Sequence, residues 1–252
     1  MTAGTGGIRM HDPYLYEGTE VLRNKLGIRD KAELEKAEGD YTSFRLRSIL
    51  DDPVLGDYDF KHFCRYHETI FQDVYDWAGI PRTIDIEKAE RALGGWSIEY
   101  TKADTIQVEC SEALGHMRDI QWDKLDIDGK AKAFSDSLAR LWKVHSFREG
   151  NTRTTVTFVC QFYESKGYSI DRTLFEKNST YVRDALVAYN AVFEDAGDMS
   201  RPEFLRNIVR DAIERGGKKN IKSAIKNAES KAQENQGMKG KTKEKCEINR
   251  DI

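Results

Sequence analysis

Apolar residues recur at helical spacing along most of the sequence, and only 4 of its 252 residues are proline. Proline interrupts helices, and this periodicity gathers apolar side chains on one helix face, so the combination predicts an all-α fold. A chain of this length suits one domain with a single core. The predicted helices cover residues 18–26, 31–50, 60–77, 103–117, 131–144, 154–166, 180–194 and 201–215.

The segment 82–100 departs from the helical pattern. Apolar and polar residues alternate over 83–86 and again over 96–100, on either side of the pair Gly94 and Gly95. Two alternating runs around a glycine turn predict a β-hairpin. Because two strands alone are only marginally stable, we interpret this hairpin as a functional flap on a helical body.

The formal charge of −3 is the sum of two regions of opposite sign. Residues 216–252 hold ten basic and five acidic residues, whereas the preceding residues hold 30 basic and 38 acidic ones. An acidic body argues against a protein that coats nucleic acid, because that requires a concentrated basic face. We expect a flexible N-terminus over 1–13, one domain over 14–215 and a mobile or partly helical basic tail over 216–252.

The four cysteines are far apart and form no CxxC pair, so neither a zinc ribbon nor a disulfide framework is expected. His62, Cys64 and His67 are metal-type residues, but helix positions two and five apart do not converge, which disfavours a zinc site. No apolar run approaches the roughly 18 residues of a membrane span, and no signal peptide precedes the body. We therefore expect a soluble, cytoplasmic protein without a membrane partner.

His145 is the first candidate for chemistry. The apolar residues Phe134, Leu138 and Leu141 precede it at spacings of four and three, which places His145 at the end of a buried helix face. Because the unperturbed pKa of histidine is about 6.5, this side chain can accept a proton from an attacking hydroxyl.

A phosphate site is predicted directly after His145. The chain runs through Gly150 and Asn151 into a new helix, whose first N–H groups converge on one point. Arg153 in the first turn opposes the helix dipole but suits a bound anion, and Glu149 can hold Mg²⁺ together with phosphate oxygens. Each residue alone also has a structural explanation, such as a helix cap. Together they predict transfer of a phosphate-bearing group to a hydroxyl.

The run from His145 to Arg153, HSFREGNTR, resembles the signature of the Fic (Fido) family, H-x-F-x-[D/E]-G-N-[G/K]-R-x-x-R. Residues 67–79 and 82–84 are similar to the family's upstream helix and the start of its flap. The resemblance covers roughly residues 14–215 and implies a Fic-fold helical bundle with a small β-hairpin flap.

The resemblance implies a protein AMP transferase, which moves AMP from Mg²⁺-ATP to a Ser, Thr or Tyr hydroxyl of a target protein or of itself. It implies that His145 is the general base, that Glu149 binds Mg²⁺ and that Phe147 fixes the loop in the core. The hairpin would align the target by strand addition. Phosphate contacts would come from Gly150, Asn151 with its side chain, Thr152 and Arg153.

Three positions depart from the signature: Ser146 replaces proline, Thr152 replaces glycine, and Val156 replaces the second arginine, the partner of the γ-phosphate. A valine supplies no charge, so the contact with the γ-phosphate that orients the nucleotide in the family is missing at this position. The retained Glu-Gly-Asn favours AMP transfer over the Doc-like kinase variant. The alternatives are a catalytically silent Fic-fold binding module and transfer of another phosphate-containing group.

Many family members carry an inhibitory [S/T]-x-x-x-E-[G/N] helix whose glutamate pairs with the second arginine. Glu38 and Gly39 do not satisfy the motif, because Leu34 occupies the Ser/Thr position. A small antitoxin partner is the alternative, and the roles of toxin, delivered effector and housekeeping regulator stay open. The motif is matched only in the tail, where a short regulatory helix near 221–235 would carry it, by Ser230, Glu234 and Asn235.

Overall fold

A computed structural model describes residues 12–220 and residue 222, and within them eight helices surround one apolar core. The helices are α1 Lys31–Asp51, α2 Phe60–Phe71, α3 Ile106–Asp119, α4 Ile127–Val144, α5 Asn151–Ser165, α6 Arg172–Lys177, α7 Ser179–Tyr189 and α8, residues 202–220. One antiparallel pair of short strands joins β1 Val192–Phe193 to β2 Gly197–Asp198. The predicted all-α class with a small hairpin is confirmed.

Three helices begin at an aspartate that caps the first turn. Asp30, Asp59 and Asp126 each accept a hydrogen bond from the backbone N–H three residues later. These bonds satisfy donors that a helix N-terminus leaves unpaired. The caps therefore fix where α1, α2 and α4 begin.

The core is centred on α4 and α5, with α2 and α3 packed against them. Phe134, Leu138 and Leu141 are buried, which confirms the predicted apolar face of α4. The ring of Phe158 in α5 packs edge to face against that of Phe63 in α2, with 5.1 Å between the ring centres. The end of α4 and the beginning of α5 are thus held in rigid surroundings.

The predicted helix over 18–26 is wrong. This stretch forms turns and an isolated bridge between Leu15 and Leu22. The side chain of Asn24 donates to the carbonyls of Leu22 and Ile28 and accepts from the N–H of Ile28. These bonds satisfy backbone groups that a helix would otherwise pair, so they stabilise a loop in place of the predicted helix.

The hairpin is not at 82–100, where it was predicted, but at residues 192–198. The segment 82–100, here called the flap segment, contains a 3₁₀ turn at Arg91–Leu93 and no strand ladder. Its two extended parts meet through few bonds, such as Glu90 N–H to the Trp96 carbonyl at 3.0 Å. The alternation has another cause, since inward side chains such as Ile98 and Tyr100 are buried against the body.

Several helix limits also differ from the prediction. Helix α2 ends at Phe71 rather than at 77, α7 ends at Tyr189 before the strand pair, and the short α6 was not predicted. Helix α8 continues to residue 220, beyond the predicted end at 215. The tail motif of Ser230, Glu234 and Asn235 lies outside the described residues. Each helix within residues 12–220 and 222 is too short or too polar to span a lipid bilayer.

Candidate active site

His145 ends α4 in the left-handed conformation, with φ 50° and ψ 54°. Its N–H donates to the Trp142 carbonyl at 3.0 Å, which closes the helix. The imidazole is 1% exposed, and its ring centre lies 4.1 Å from that of Tyr100. The helix end therefore turns the side chain sideways and holds it under the flap segment.

The imidazole of His145 is kept neutral. Burial lowers its pKa well below the ordinary value, and the charges of Lys88, Arg183 and Arg82 lower it further. Neither ring nitrogen has a hydrogen-bond partner within the described residues. A neutral imidazole with a free nitrogen can take up a proton, as a general base requires.

Arg82, at the start of the flap segment, fixes the backbone around His145. It is 2% exposed, and its guanidinium donates to the carbonyls of His145 at 2.8 Å, Ile84 at 2.6 Å and Thr101. The backbone N–H of Arg82 donates to the Ser146 carbonyl. Sequence reasoning placed Arg82 only at the start of the flap, whereas in the structure it holds the backbone on which the His145 side chain stands.

Asn151 closes the loop that follows His145. Its Oδ1 accepts from the Phe147 N–H at 2.9 Å, and its Nδ2 donates to the Phe147 carbonyl at 2.7 Å. Both polar groups of the amide are thus used inside the loop. A phosphate contact through the Asn151 side chain stays a prediction. In the structure, the amide of Asn151 holds the shape of the loop through its two bonds to Phe147.

His67 of α2 supports the same loop from below. Its ring stacks on Phe147 at 3.8 Å between centres, its Nε2–H donates to the Glu149 carbonyl at 3.0 Å, and its Nδ1 accepts from the Gly79 N–H at 2.8 Å. Burial lowers the pKa of His67 to about 3, so the ring is neutral. His67 therefore holds the buried Phe147 in the core.

Replacing His67 with phenylalanine is expected to lower the free energy of unfolding by about 2–4 kcal/mol. The new ring keeps the stacking but leaves the Gly79 N–H and the Glu149 carbonyl unpaired, at about 1–3 kcal/mol each. Urea unfolding measures the loss, with the exposed Lys61→Ala on the same helix as control. A loss no larger than that of the control would contradict this role.

Gly150 is the N-cap of α5 and has φ 81°. A Cβ atom here would lie 2.2 Å from Cζ of the buried Phe71, so only glycine fits. The first N–H groups of α5 have no partner inside the helix and point away from its N-terminus. This is the geometry predicted for phosphate binding.

Thr152, at a glycine position of the signature, points towards α4. Its hydroxyl accepts a hydrogen bond from the indole N–H of Trp142 at 2.9 Å. The bond explains why a larger residue is accommodated in the first turn of α5.

Arg153 is held by α1. Its guanidinium forms an ion pair with Glu38, donates to the hydroxyl of Thr42 at 3.0 Å and lies 4.8 Å above the Phe71 ring. Glu38 also accepts from the hydroxyl of Tyr75. Glu38 does not satisfy the inhibitory motif, because no Ser or Thr stands four residues before it, yet its carboxylate pairs with Arg153. The Glu-Gly pair at Glu38 and Gly39 was the one feature of the sequence that could have indicated this contact.

Glu149 presents an ionised carboxylate. Burial alone would raise its pKa, but Lys88, the Gly150 N–H and Arg153 outweigh that effect and lower the pKa to about 2. Oε1 accepts from the Gly150 N–H at 2.9 Å, and Oε2 lies 3.4 Å from Nζ of Lys88. A single ionised carboxylate beside a phosphate site is the donor that Mg²⁺ takes together with phosphate oxygens.

Six of the predicted site residues line one cavity of about 310 Å³. Phe147 lies beneath it in the core, and Val156 lines a different, apolar cavity between α1, α5 and α6. Among the described residues, no group of three or more acidic, His or Cys side chains is arranged to hold a metal. The cavity is lined by Lys88, His145, Glu149, Gly150, Asn151, Thr152, Arg153, Ser179, Thr180 and Arg183.

Residues 57–163 match the model of the Fic/DOC family. A probable protein adenylyltransferase of Sinorhizobium fredii is 35% identical over 169 residues, which are 66% of this chain and 83% of that protein. A protein adenylyltransferase of Bartonella schoenbuchensis is 31% identical over 161 residues, 64% of this chain but only 32% of that longer protein.

Solved structures agree in fold. The Fic domain of an effector from Bartonella sp. AR 15-3 superposes with a TM-score of 0.63 at 22% identity, covering 82% of this chain and 95% of that one. An effector of Bartonella tribocorum with bound AMPPNP gives a TM-score of 0.63 at 20% identity over 79% and 95% of the two chains. With the motif, the fold and these relatives in agreement, the chain belongs to the Fic/DOC family.

Proposed function

We propose that this chain transfers AMP from ATP to a hydroxyl side chain of a target protein. The observation that carries the proposal is the cavity in which a neutral His145, whose ring has no hydrogen-bond partner among the described residues, faces the N-terminus of α5. Two relatives named protein adenylyltransferase, 35% and 31% identical, support the same activity. A structural neighbour with bound AMPPNP supports a nucleotide as substrate.

In the proposed reaction, the target hydroxyl oxygen attacks the α-phosphorus while its proton passes to the imidazole of His145. The bond from the α-phosphorus to the bridging oxygen breaks, and pyrophosphate leaves. The N–H groups at the start of α5 and the guanidinium of Arg153 stabilise the negative charge on the phosphate chain. Arg82 and Asn151 keep the base and the loop in place for this step.

We further propose that Glu149 holds Mg²⁺. Its depressed pKa keeps the carboxylate ionised, and the lack of a larger ligand group among the described residues fits a metal that takes its other ligands from phosphate and water. When bound, Mg²⁺ supplies positive charge to the phosphate oxygens. Glu149→Gln is expected to remove the dependence of ATP binding on Mg²⁺.

A second candidate function is a silent binding module, favoured by the absence of charge at Val156. Thermal unfolding with and without Mg²⁺-ATP separates the two. An enzyme gives a rise in the melting temperature that disappears in Glu149→Ala, whereas a module that has lost its nucleotide gives no rise. Mass spectrometry of the purified chain then tests for AMP on its own side chains.

Glu38→Gln is expected to bind ATP about tenfold more tightly. The carboxylate of Glu38 neutralises Arg153 and repels phosphate, and tenfold corresponds to about 1.4 kcal/mol. Isothermal titration calorimetry measures the affinity, with the exposed Asp40→Asn on the same helix as control. Weaker binding in Glu38→Gln would mean that the ion pair positions Arg153 for the nucleotide instead.

Regulation by the tail motif of Ser230, Glu234 and Asn235, or by a separate antitoxin, stays a prediction. Removing residues 223–252 and comparing ATP affinity with the full chain tests the tail. Tighter binding after the removal would support an inhibitory tail, and unchanged binding would argue against it.

A further inference from the structure

The phosphate site has one cation fewer than the family signature provides. At the second arginine position stands Val156, whose neighbours in the apolar cavity include Leu46, Cys160 and Phe175. The remaining arginine of the motif, Arg153, is already paired with Glu38. A bound triphosphate would therefore meet too little positive charge from the motif alone.

Lys88 of the flap segment brings a cation into the same cavity from outside the motif. Its ammonium lies 3.4 Å from Oε2 of Glu149, and its side chain is 20% exposed. It lines the cavity beside His145 and the first turn of α5. Among the nearby charges, Lys88 also lowers the pKa of His145 the most, which agrees with its position beside that side chain in the cavity.

The backbone of Lys88 is fixed while its side chain has freedom to move. The N–H of Lys88 donates to the Ser97 hydroxyl at 3.0 Å, across the flap segment. The ammonium has Glu149 as its one described ion-pair partner, at a distance that allows only a weak hydrogen bond. A lysine on a flexible four-carbon stem exchanges such a partner easily.

Arg183, the other cation of the cavity from outside the motif, is less free. Its guanidinium donates to both oxygens of Glu90, at 2.8 and 3.0 Å. Glu90 is buried and also accepts from the hydroxyl of Tyr100 at 2.9 Å. Moving Arg183 would leave a buried carboxylate without its charge partner, which is costly.

We propose that Lys88 binds the phosphate chain of the nucleotide and supplies the positive charge that Val156 does not. This proposal rests on the proposed function, since it takes the ligand to be a nucleoside triphosphate. Before the ligand binds, Lys88 neutralises Glu149. When phosphate enters, the ammonium transfers from the carboxylate to phosphate oxygens, and Glu149 is left to the cation that accompanies the nucleotide.

The test is calorimetric binding of α,β-methylene-ATP, which cannot release pyrophosphate, and of adenosine, which has no phosphate. Lys88→Met removes the charge and keeps most of the length, and Lys88→Arg restores the charge. Lys102→Met is the matched control, because Lys102 follows the flap segment, is exposed and pairs with Asp85 instead. Thermal unfolding confirms that each variant is folded.

In Lys88→Met we expect affinity for α,β-methylene-ATP to fall about 10- to 100-fold, in line with a lost hydrogen bond to a charged group. Adenosine affinity should change less than twofold, Lys88→Arg should stay within about fivefold of the original chain, and Lys102→Met should bind normally. The affinity of the original chain should also fall more steeply with added KCl than that of Lys88→Met.

Unchanged binding of α,β-methylene-ATP by Lys88→Met would overturn the proposal, as would an equal loss for adenosine. If the original chain transfers AMP but Lys88→Met binds normally, the role of Lys88 fails and the proposed function stands. If binding depends on Lys88 but no AMP is transferred, the proposed function fails and the role of Lys88 stands.

Discussion

His145→Asn is expected to lower the rate of AMP transfer by about 10²–10⁴-fold, the usual contribution of a general base. Asparagine is chosen because it tolerates the left-handed conformation that position 145 adopts, with φ 50°. The free energy of unfolding should change by less than about 2 kcal/mol. The affinity for ATP should change less than about threefold, because the imidazole holds no phosphate in the proposed reaction.

The exposed His116→Asn is the control for this variant. Transfer by His145→Asn at more than about a tenth of the original rate would exclude His145 as the base. The pH profile gives an independent check. Because burial and nearby cations depress the pKa of His145, the base stays neutral below pH ~6.5, and activity should persist there until the pH falls through the depressed pKa.

Gly150→Ala is expected to lower the free energy of unfolding by about 2–4 kcal/mol and to abolish ATP binding. The new Cβ would lie 2.2 Å from Cζ of Phe71, which is buried and stacks on His67. Overpacking costs about 1–3 kcal/mol, and the left-handed backbone adds about 1 kcal/mol. Urea unfolding and calorimetry measure the two effects.

Gly94→Ala is a matched control for this substitution. Gly94 also has positive φ, at 62°, but a Cβ there meets nothing within 4 Å. Gly94→Ala should lower the free energy of unfolding by only about 1 kcal/mol, the contribution of the left-handed backbone. Equal losses in the two variants would show that contact with Phe71 does not decide the shape of the phosphate loop.

The candidate site was predictable where its residues are neighbours in sequence. His145, Glu149 and Arg153 lie within nine positions, so helical spacing and the glycine turn were enough to place them at one point. Contacts across long stretches of chain were not predictable. Lys88 meets Glu149 over 61 residues, and Glu38 meets Arg153 over 115.

The fold was predicted well in the long helices and poorly in the segments around them. Helix α4 has an aspartate cap and a clear apolar period, whereas residues 18–26 are governed by the side chain of Asn24. Apolar and polar residues alternate in the flap segment because its inward-facing side chains pack on the helical body. Strand pairing produces the same alternation, so the sequence pattern alone does not distinguish the two causes.

The most direct test of AMP transfer is incubation of the purified chain with Mg²⁺ and ATP labelled at either the α- or the γ-phosphate. Protein should become labelled from α-labelled ATP and not from γ-labelled ATP, and His145→Asn should remove the label. Label from the γ-phosphate alone would identify a kinase and rule out AMP transfer.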